Sequence, residues 1–588
     1  LVSAEKGAGI DAPFSNIFCV AGKEGRAVAY GYRYGEVTLG KLSDVKPSLK
    51  IGDHRELRDG FRPVQMVSSG FHYEGMVMPH PCTTDPLTAK AGVCKRFGFQ
   101  AQQPNRAKLR RLNKFVRRWC KRYLTPLSPA TDVSFETWLQ KTPYTATRKE
   151  ELKELWTRLY GKLYEKGKKY TGVKSFIKDE VYPEYKHARP INSTHDLFKC
   201  EVGRFFKCIE EVIYELPQFI KHVPVADRPA YIMNMLYQPG ATYYESDYSS
   251  FESLFTQEIM ESVEMVLYRY MFQHHPERDV FFRCLDVIKG RRLLDFKNFS
   301  VRIEATRMSG EMNTSLGNGF SNLMFFLFEC EEQGLRGEGV VEGDDGLFTT
   351  AGGVLDERGF ADMGLVIKLE KHDRISEASF CGIIFDEEDQ INVTDVREVL
   401  VQFGWVSARY ARARDSKLRA LLRCKALSFA HQYPGCPIIS SMAQCALRLT
   451  RRYSQAARDI VEKGVFNQWE LEQLRMAFRD ETKIPIRTPG IKTRFLVEQL
   501  YGVTVAQQVA IEQYFDNCNE LKSFSFPILK ETMPPQWAHY WENYVLRADR
   551  SQDLNYPSKV WSNKAEFCVE IQVLEGGDSA PPVLQRSR

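Results

Sequence analysis

The stretch Val340 to Thr350 reads VVEGDDGLFTT, two apolar, β-prone runs joined through Gly343, Asp344 and Asp345. Strand-forming residues on both sides of a Gly-Asp step describe a hairpin. A plain turn already accounts for Gly and Asp in this place. The second carboxylate asks for more, because adjacent like charges repel unless a cation holds them. Mg²⁺ takes oxygen ligands of this kind. A fold that uses the pair for Mg²⁺ must bring another acid to it from a distant segment.

The chain has 588 residues, more than one hydrophobic core serves, so several subdomains are expected. With 43% hydrophobic and 12% aromatic residues it is globular in composition. A net charge of +6 is a mild excess that suits a polyanion partner only where it is clustered. Fourteen cysteines without a C-x-x-C pair argue for free thiols and against a zinc ribbon or a disulfide framework. The best metal-like group, His72, His80, Cys82 and Cys94, fits no standard zinc spacing. No apolar run reaches bilayer length and no signal-peptide pattern is read. The chain begins at Leu1, which fits a processed product or a piece of a longer chain.

Residues 17–92 read as short strands and loops without evident chemistry. From Arg106, RAKLRRLNKFVRRWCKRYL spaces Leu109, Leu112, Phe115, Val116 and Trp119 helically and fills the other faces with Arg and Lys. That pattern suits a solvated surface, a membrane surface or nucleic-acid phosphate. A further helix, ATRKEELKELWTRLYGKLYEKG, ends at a glycine. Lys174, Lys178, Lys186 and Arg189 line the Pro-punctuated VKSFIKDEVYPEYKHARP, a basic loop able to cradle phosphate oxygens.

Downstream, TYYES reads as a strand with Asp247 at its end, followed by a long amphipathic helix to about Phe272. A strand-end acid is a frequent catalytic address, and a helix-capping aspartate is the rival reading. Ser309 and Gly310 form a loop that allows close backbone approach, and Thr314 and Asn318 share one helical face. Polar groups there need partners, either a nucleotide sugar or neighbouring core groups. Residues from about Val393 to Glu542 are mostly helical in pattern, and the last residues read as a flexible tail.

In order, these pieces resemble the motifs of viral RNA-dependent RNA polymerases of positive-strand viruses. The nearest resemblance is to the tombusvirus-like group, with nodaviruses as a second comparison. The resemblance runs from about Lys174 to Asp386, with SGEMNTSLGN and GDDG its most specific parts; FETWLQKTPYTATRK and LLRCKALS add weaker support. It implies an α+β, right-hand fold: fingers over 96–235 with 273–305 inserted, palm over 236–272 and 306–388, and a mostly helical thumb over 389–560. The palm sheet would be antiparallel, of the split βαβ kind. Residues 1–95 would form an N-terminal extension and 561–588 a flexible tail.

The same resemblance implies RNA-templated RNA synthesis by two Mg²⁺ ions, for which Mn²⁺ can substitute. Asp247, Asp344 and Asp345 would be the metal ligands, with Asp344 direct and Asp345 secondary, since neighbouring strand side chains point apart. Lys178 and Arg189 would grip the triphosphate, assisted by Lys174 or Lys186. Lys368, ahead of Lys371, would protonate the leaving pyrophosphate. Ser309, Thr314 and Asn318 would read the ribose, and Phe380, Cys381 and Gly382 fall at the primer-grip hairpin. One departure is Glu252, where the family carries a second aspartate. The implied partners are template and product RNA, nucleoside triphosphates, other viral replication proteins and host membranes, with no DNA. The implied location is host cytoplasm, at membrane-associated replication sites. Rival readings are a reverse transcriptase, which has Tyr-x where Glu342-Gly343 stands, and a non-catalytic RNA-binding replication protein.

Overall fold

A computed structural model of the chain describes residues 26–34, 46, 48–53, 64–463, 474–475, 477–478 and 483–547. Its strands in chain order are β1 (Ala27–Tyr30), β2 (Lys50–Asp53), β3 (Val64–Ser68), β4 (Val173–Ile177), β5 (Pro190–Thr194), β6 (Thr242–Tyr248), β7 (Arg291–Asp295) and β8 (Phe299–Glu304). They continue as β9 (Arg336–Glu342), β10 (Asp345–Ala351), β11 (Ile367–His372), β12 (Ile384–Phe385), β13 (Asn392–Val393), β14 (Trp405–Ser407) and β15 (Val545–Arg547). Helices and sheet are mixed throughout, as the α+β expectation has it.

The sheet that carries the acidic hairpin runs β11-β6-β10-β9, all antiparallel. Alternation along TYYESDY gives it two faces. Tyr244 and Tyr248 turn to the Thr314–Glu332 helix, where the Phe326 and Phe348 rings stack at 4.1 Å between centroids. That helix is apolar nearly all round because it is covered on every side, by the sheet and by the Arg106–Tyr123 and Glu264–Phe272 helices. On the opposite face, Tyr243, Val340 and Leu347 pack under Ile375 and Phe380. Toward the hairpin tip this second face opens to solvent.

The expected single helix up to Phe272 is broken into Phe251–Leu254, Gln257–Ser262 and Glu264–Phe272. Thr256 accepts from the Ile259 amide and so starts a new helix. Val263, at φ −126° and ψ −82°, ends it. The restart carries Glu264 into a buried ion pair with Arg307, 2.7 Å long.

A second sheet, β2-β8-β7-β4-β5, is antiparallel except for the parallel β4/β7 pair. It holds the basic segment beside the first sheet. A third, β14-β3-β1-β15, joins strands from opposite ends of the chain. The described residues between 26 and 98 supply the short strands expected there and also a helix, Pro86–Val93. Strands of four or five residues cannot bury themselves. β1 and β3 therefore share one core with the C-terminal helices, where Tyr30, Val67 and Phe71 meet Phe403, Leu422 and Trp537. The C-terminal part is helical as its pattern indicates, with Asp415–Gln432, Ile439–Leu449, Ile491–Tyr501 and Val505–Asn517 its longer members. The tail at 561–588 lies outside the described residues.

Candidate active site

The hairpin turn is two residues long. Glu342 pairs with Asp345, leaving Gly343 and Asp344 as the loop. Gly343 takes φ +63°, a conformation that a side chain disfavours and that a tight turn of this kind requires at its first position. Lys368 lies opposite Asp247, and Gly346 opposite Ser246, so the next step of the register sets Asp345 beside Asp247. Four groups from four strands, Glu342, Asp345, Asp247 and Lys368, thus share one sheet face. Asp344 sits in the turn itself, within the electrostatic reach of Glu252, Arg189 and Arg96. Asp247 and the acid pair, far apart in sequence, are brought together.

Asp344 and Asp345 are exposed at the turn, but the protein packed around them makes desolvation the largest influence on both. It raises the Asp344 carboxyl above the usual range, Glu252 adding to the rise while Arg189 and Arg96 oppose it. Asp345 is pushed up to about 7 by desolvation and by Asp344, Glu342 and Asp247. Acids crowded this far are short of positive charge. An all-oxygen donor set with a deficit of cation suits Mg²⁺.

The residues expected to meet the nucleotide lie on and around the β4–β5 pair, Lys178 and Arg189 at one end and Lys174 toward the other. The Lys178 amide donates to the Arg189 carbonyl at 2.8 Å, closing the β4–β5 end. Glu180 bridges their side chains, at 2.7 Å to Lys178 Nζ and 2.8 Å to Arg189 Nε. Lys174 points outward from β4. Lys186 lies over the Tyr182 ring, and burial lowers its pKa. Ser309 Oγ donates to Glu252 Oε1 at 3.1 Å, so the residue that departs from the family keeps a hydrogen-bonded carboxylate. Gly310, at φ +115°, lets the loop touch β5: a Cβ there would fall 2.8 Å from the Asn192 carbonyl oxygen.

Two of the expected ribose-reading groups are already engaged. Thr314 donates within its own loop to the Met308 and Glu311 carbonyls, and Asn318 Oδ1 accepts from Arg307 Nε at 2.9 Å. Lys368 is exposed and paired to Glu370, which raises its pKa; Lys371 falls on the opposite strand face. Phe380 and Ile383 exchange backbone hydrogen bonds across Cys381 and Gly382, both at positive φ, a tight turn set against Glu342 and Asp345.

Sequence reasoning missed three residues here. Arg96 approaches Glu252 at 3.6 Å from the short helical segment Cys94–Gly98, some 150 positions away in the chain, with no local signal to mark it. Glu180 occupies both cationic groups. Asn322, wholly buried, donates to the Asp344 carbonyl at 2.9 Å and to Ser246 Oγ at 3.2 Å, and accepts from the Tyr248 hydroxyl. Its signal was present as the third member of the i, i+4 series begun by Thr314 and Asn318.

The basic Arg106–Tyr123 helix buries Leu109, Leu112, Phe115, Val116 and Trp119 as spaced, while Lys108, Arg111 and Arg118 pair with Glu329, Glu332 and Glu331. Arg110, Lys114, Arg117, Lys121 and Arg122 remain on the surface. His72 meets Ser68 and His80 meets Asp179, so these two histidines serve different neighbourhoods. Among the described residues, no helix is long and apolar enough to cross a membrane.

Residues 93–522 match the family model for viral RNA dependent RNA polymerase. An RNA-directed RNA polymerase of Turnip crinkle virus is 24% identical over 250 residues, which cover 40% of this chain and 30% of that protein. The match thus spans less than a third of that tombusvirus-like relative. With the family match extending over most of its length, the chain belongs to the viral RNA-dependent RNA polymerases.

Proposed function

We propose that the chain synthesises RNA on an RNA template, extending a 3′-hydroxyl with nucleoside triphosphates. The observation that carries this reading is the meeting of Asp247 with the Asp344–Asp345 turn beside Arg189. The β11-β6-β10-β9 sheet is the palm in this reading, the β2-β8-β7-β4-β5 sheet belongs to the fingers, and the C-terminal helices form the thumb.

Asp247, Asp344 and Asp345 would hold two Mg²⁺ ions, which would supply positive charge for activating the 3′-hydroxyl and neutralising the triphosphate. Arg189 and Lys178 bind triphosphate oxygens through charge-assisted hydrogen bonds after exchanging Glu180 for them. Lys368 stays protonated beside Asp247 and gives its proton to the leaving pyrophosphate. Glu252, oriented by Ser309, accepts from the ribose 2′-hydroxyl, the group that tells RNA from DNA. Thr314 and Asn318 act one layer behind, holding the loop that carries Ser309. Template RNA follows the exposed basic groups of the Arg106–Tyr123 helix. Replication in host cytoplasm on membranes, with other viral proteins, completes the reading.

The test is extension of a primed RNA template by purified protein, with ribonucleotides and deoxyribonucleotides compared. Ribonucleotide incorporation that Asp344→Asn abolishes, with the variant folded, is the expected result. Full activity in Asp344→Asn removes the assignment, and a preference for deoxyribonucleotides points to reverse transcription.

A further inference from the structure

Further along the open face of the β11-β6-β10-β9 sheet lies a group that the proposed nucleotidyl transfer touches only through the pairing of Lys368 with Glu370. Glu245 and Glu370 are cross-strand partners on β6 and β11, and His372 follows Glu370 by two positions, on the same face. One ligand atom from each lies within 4.8 Å of the others, and all three residues are half-buried. Among the described residues this is the one such cluster of potential metal ligands.

Its geometry is that of converging ligands. His372 Nε2 is 2.9 Å from Glu245 Oε1, yet the ring nitrogen makes no aligned hydrogen bond. Two donor atoms each about 2.1 Å from one six-coordinate ion, at right angles, stand about 3.0 Å apart. The outer shell is present as well. The Ser379 amide donates to Glu245 Oε1 at 2.6 Å, and Lys368 pairs with Glu370, so both carboxylates are held in orientation.

We propose that Glu245, Glu370 and His372 form a further divalent-metal site, taking a transition ion of the Mn²⁺ or Zn²⁺ kind. An imidazole nitrogen favours such an ion over Mg²⁺, which prefers oxygen ligands throughout. The bound ion ties β6 to β11 and, through Ser379, to the Phe380–Ile383 hairpin. It steadies the sheet next to Asp247 without touching the acid cluster at the hairpin tip. The alternative for the same three groups is an imidazolium bridging two carboxylates with no ion.

The test uses full-length protein carrying Asp247→Asn, Asp344→Asn and Asp345→Asn together, so that the hairpin acids no longer report. Mn²⁺ binding is followed by electron paramagnetic resonance in excess Mg²⁺, and the unfolding midpoint is measured with and without Mn²⁺. One Mn²⁺ per chain and a raised midpoint are expected, with Zn²⁺ competing. Adding His372→Gln or Glu370→Gln should weaken binding at least about tenfold and remove the midpoint shift. Absence of bound Mn²⁺ in the triple variant, or binding indifferent to both further changes, overturns the proposal and leaves the imidazolium bridge. Since no readout involves nucleotide incorporation, this result stands apart from the polymerase test.

Discussion

Asn322→Ala separates the acidic turn from the helix that holds it. The Asn322 amide group reaches Asp344 and Ser246 at once, and its oxygen meets Tyr248. The side chain is fully buried, so water does not replace it. A net hydrogen bond contributes about 1 kcal/mol, and each buried group left unsatisfied costs about 1–3 kcal/mol. Three lost bonds, with the Tyr248 hydroxyl and Asp344 carbonyl relaxing toward other partners, give a loss of about 2–4 kcal/mol. The larger consequence falls on geometry, because the Asp344 carbonyl is the fixed point of a two-residue loop. A displacement of about 1 Å there costs about a hundredfold in rate. Single-turnover incorporation should therefore fall by about that factor with little change in apparent triphosphate affinity, while thermal unfolding moves down by a few degrees. Stability lost without any loss of rate would refute the positioning role and leave Asn322 a core amide.

Arg307→Met should leave Glu264 as an unpaired charge in a site with no solvent exposure, costing about 3–5 kcal/mol, whereas pairing it with Glu264→Leu should recover most of that loss; thermal unfolding of both variants checks it. Lys46 is buried with its Nζ on Thr306 Oγ1, and burial lowers its pKa to about 7. The unfolded chain then binds more protons than the native one between about pH 7 and 10, so this contribution to stability rises with pH over that window and is most unfavourable below it. Lys46→Met should raise the unfolding midpoint at pH 7 and flatten the rise toward pH 10; an unchanged profile would contradict it.

The parts that could be read in the sequence are those whose chemistry is local. The GDD turn announces itself by composition, and Asp247 by its place at the end of an aromatic strand. Thr314 and Asn318 share one face as their helical spacing requires, while their hydrogen bonds to the Met308 and Glu311 carbonyls and to Arg307 come from the fold and leave no mark in that spacing. Long-range charge pairs leave no such trace. Arg96 belongs to a short helical segment that nothing near Glu252 advertises, and Glu180 reads as one acid among bases until the fold sets it between Lys178 and Arg189. Helix continuity through Val263 reads as unbroken because the apolar spacing is continuous, whereas the structure restarts the helix at Glu264, whose carboxylate pairs with the distant, buried Arg307. The partnership of β1 and β3 with β14 and β15 joins segments hundreds of residues apart, beyond any periodicity argument.

The three aspartates act as catalytic ligands only if divalent ions sit on them when substrate is present. Anomalous diffraction from crystals of the protein with primed RNA template, Mn²⁺ and a non-reactive triphosphate measures this directly. Two Mn²⁺ peaks are expected between the triphosphate and the carboxylates of Asp247, Asp344 and Asp345. A triphosphate bound elsewhere, or Mn²⁺ absent from those three aspartates, would contradict it.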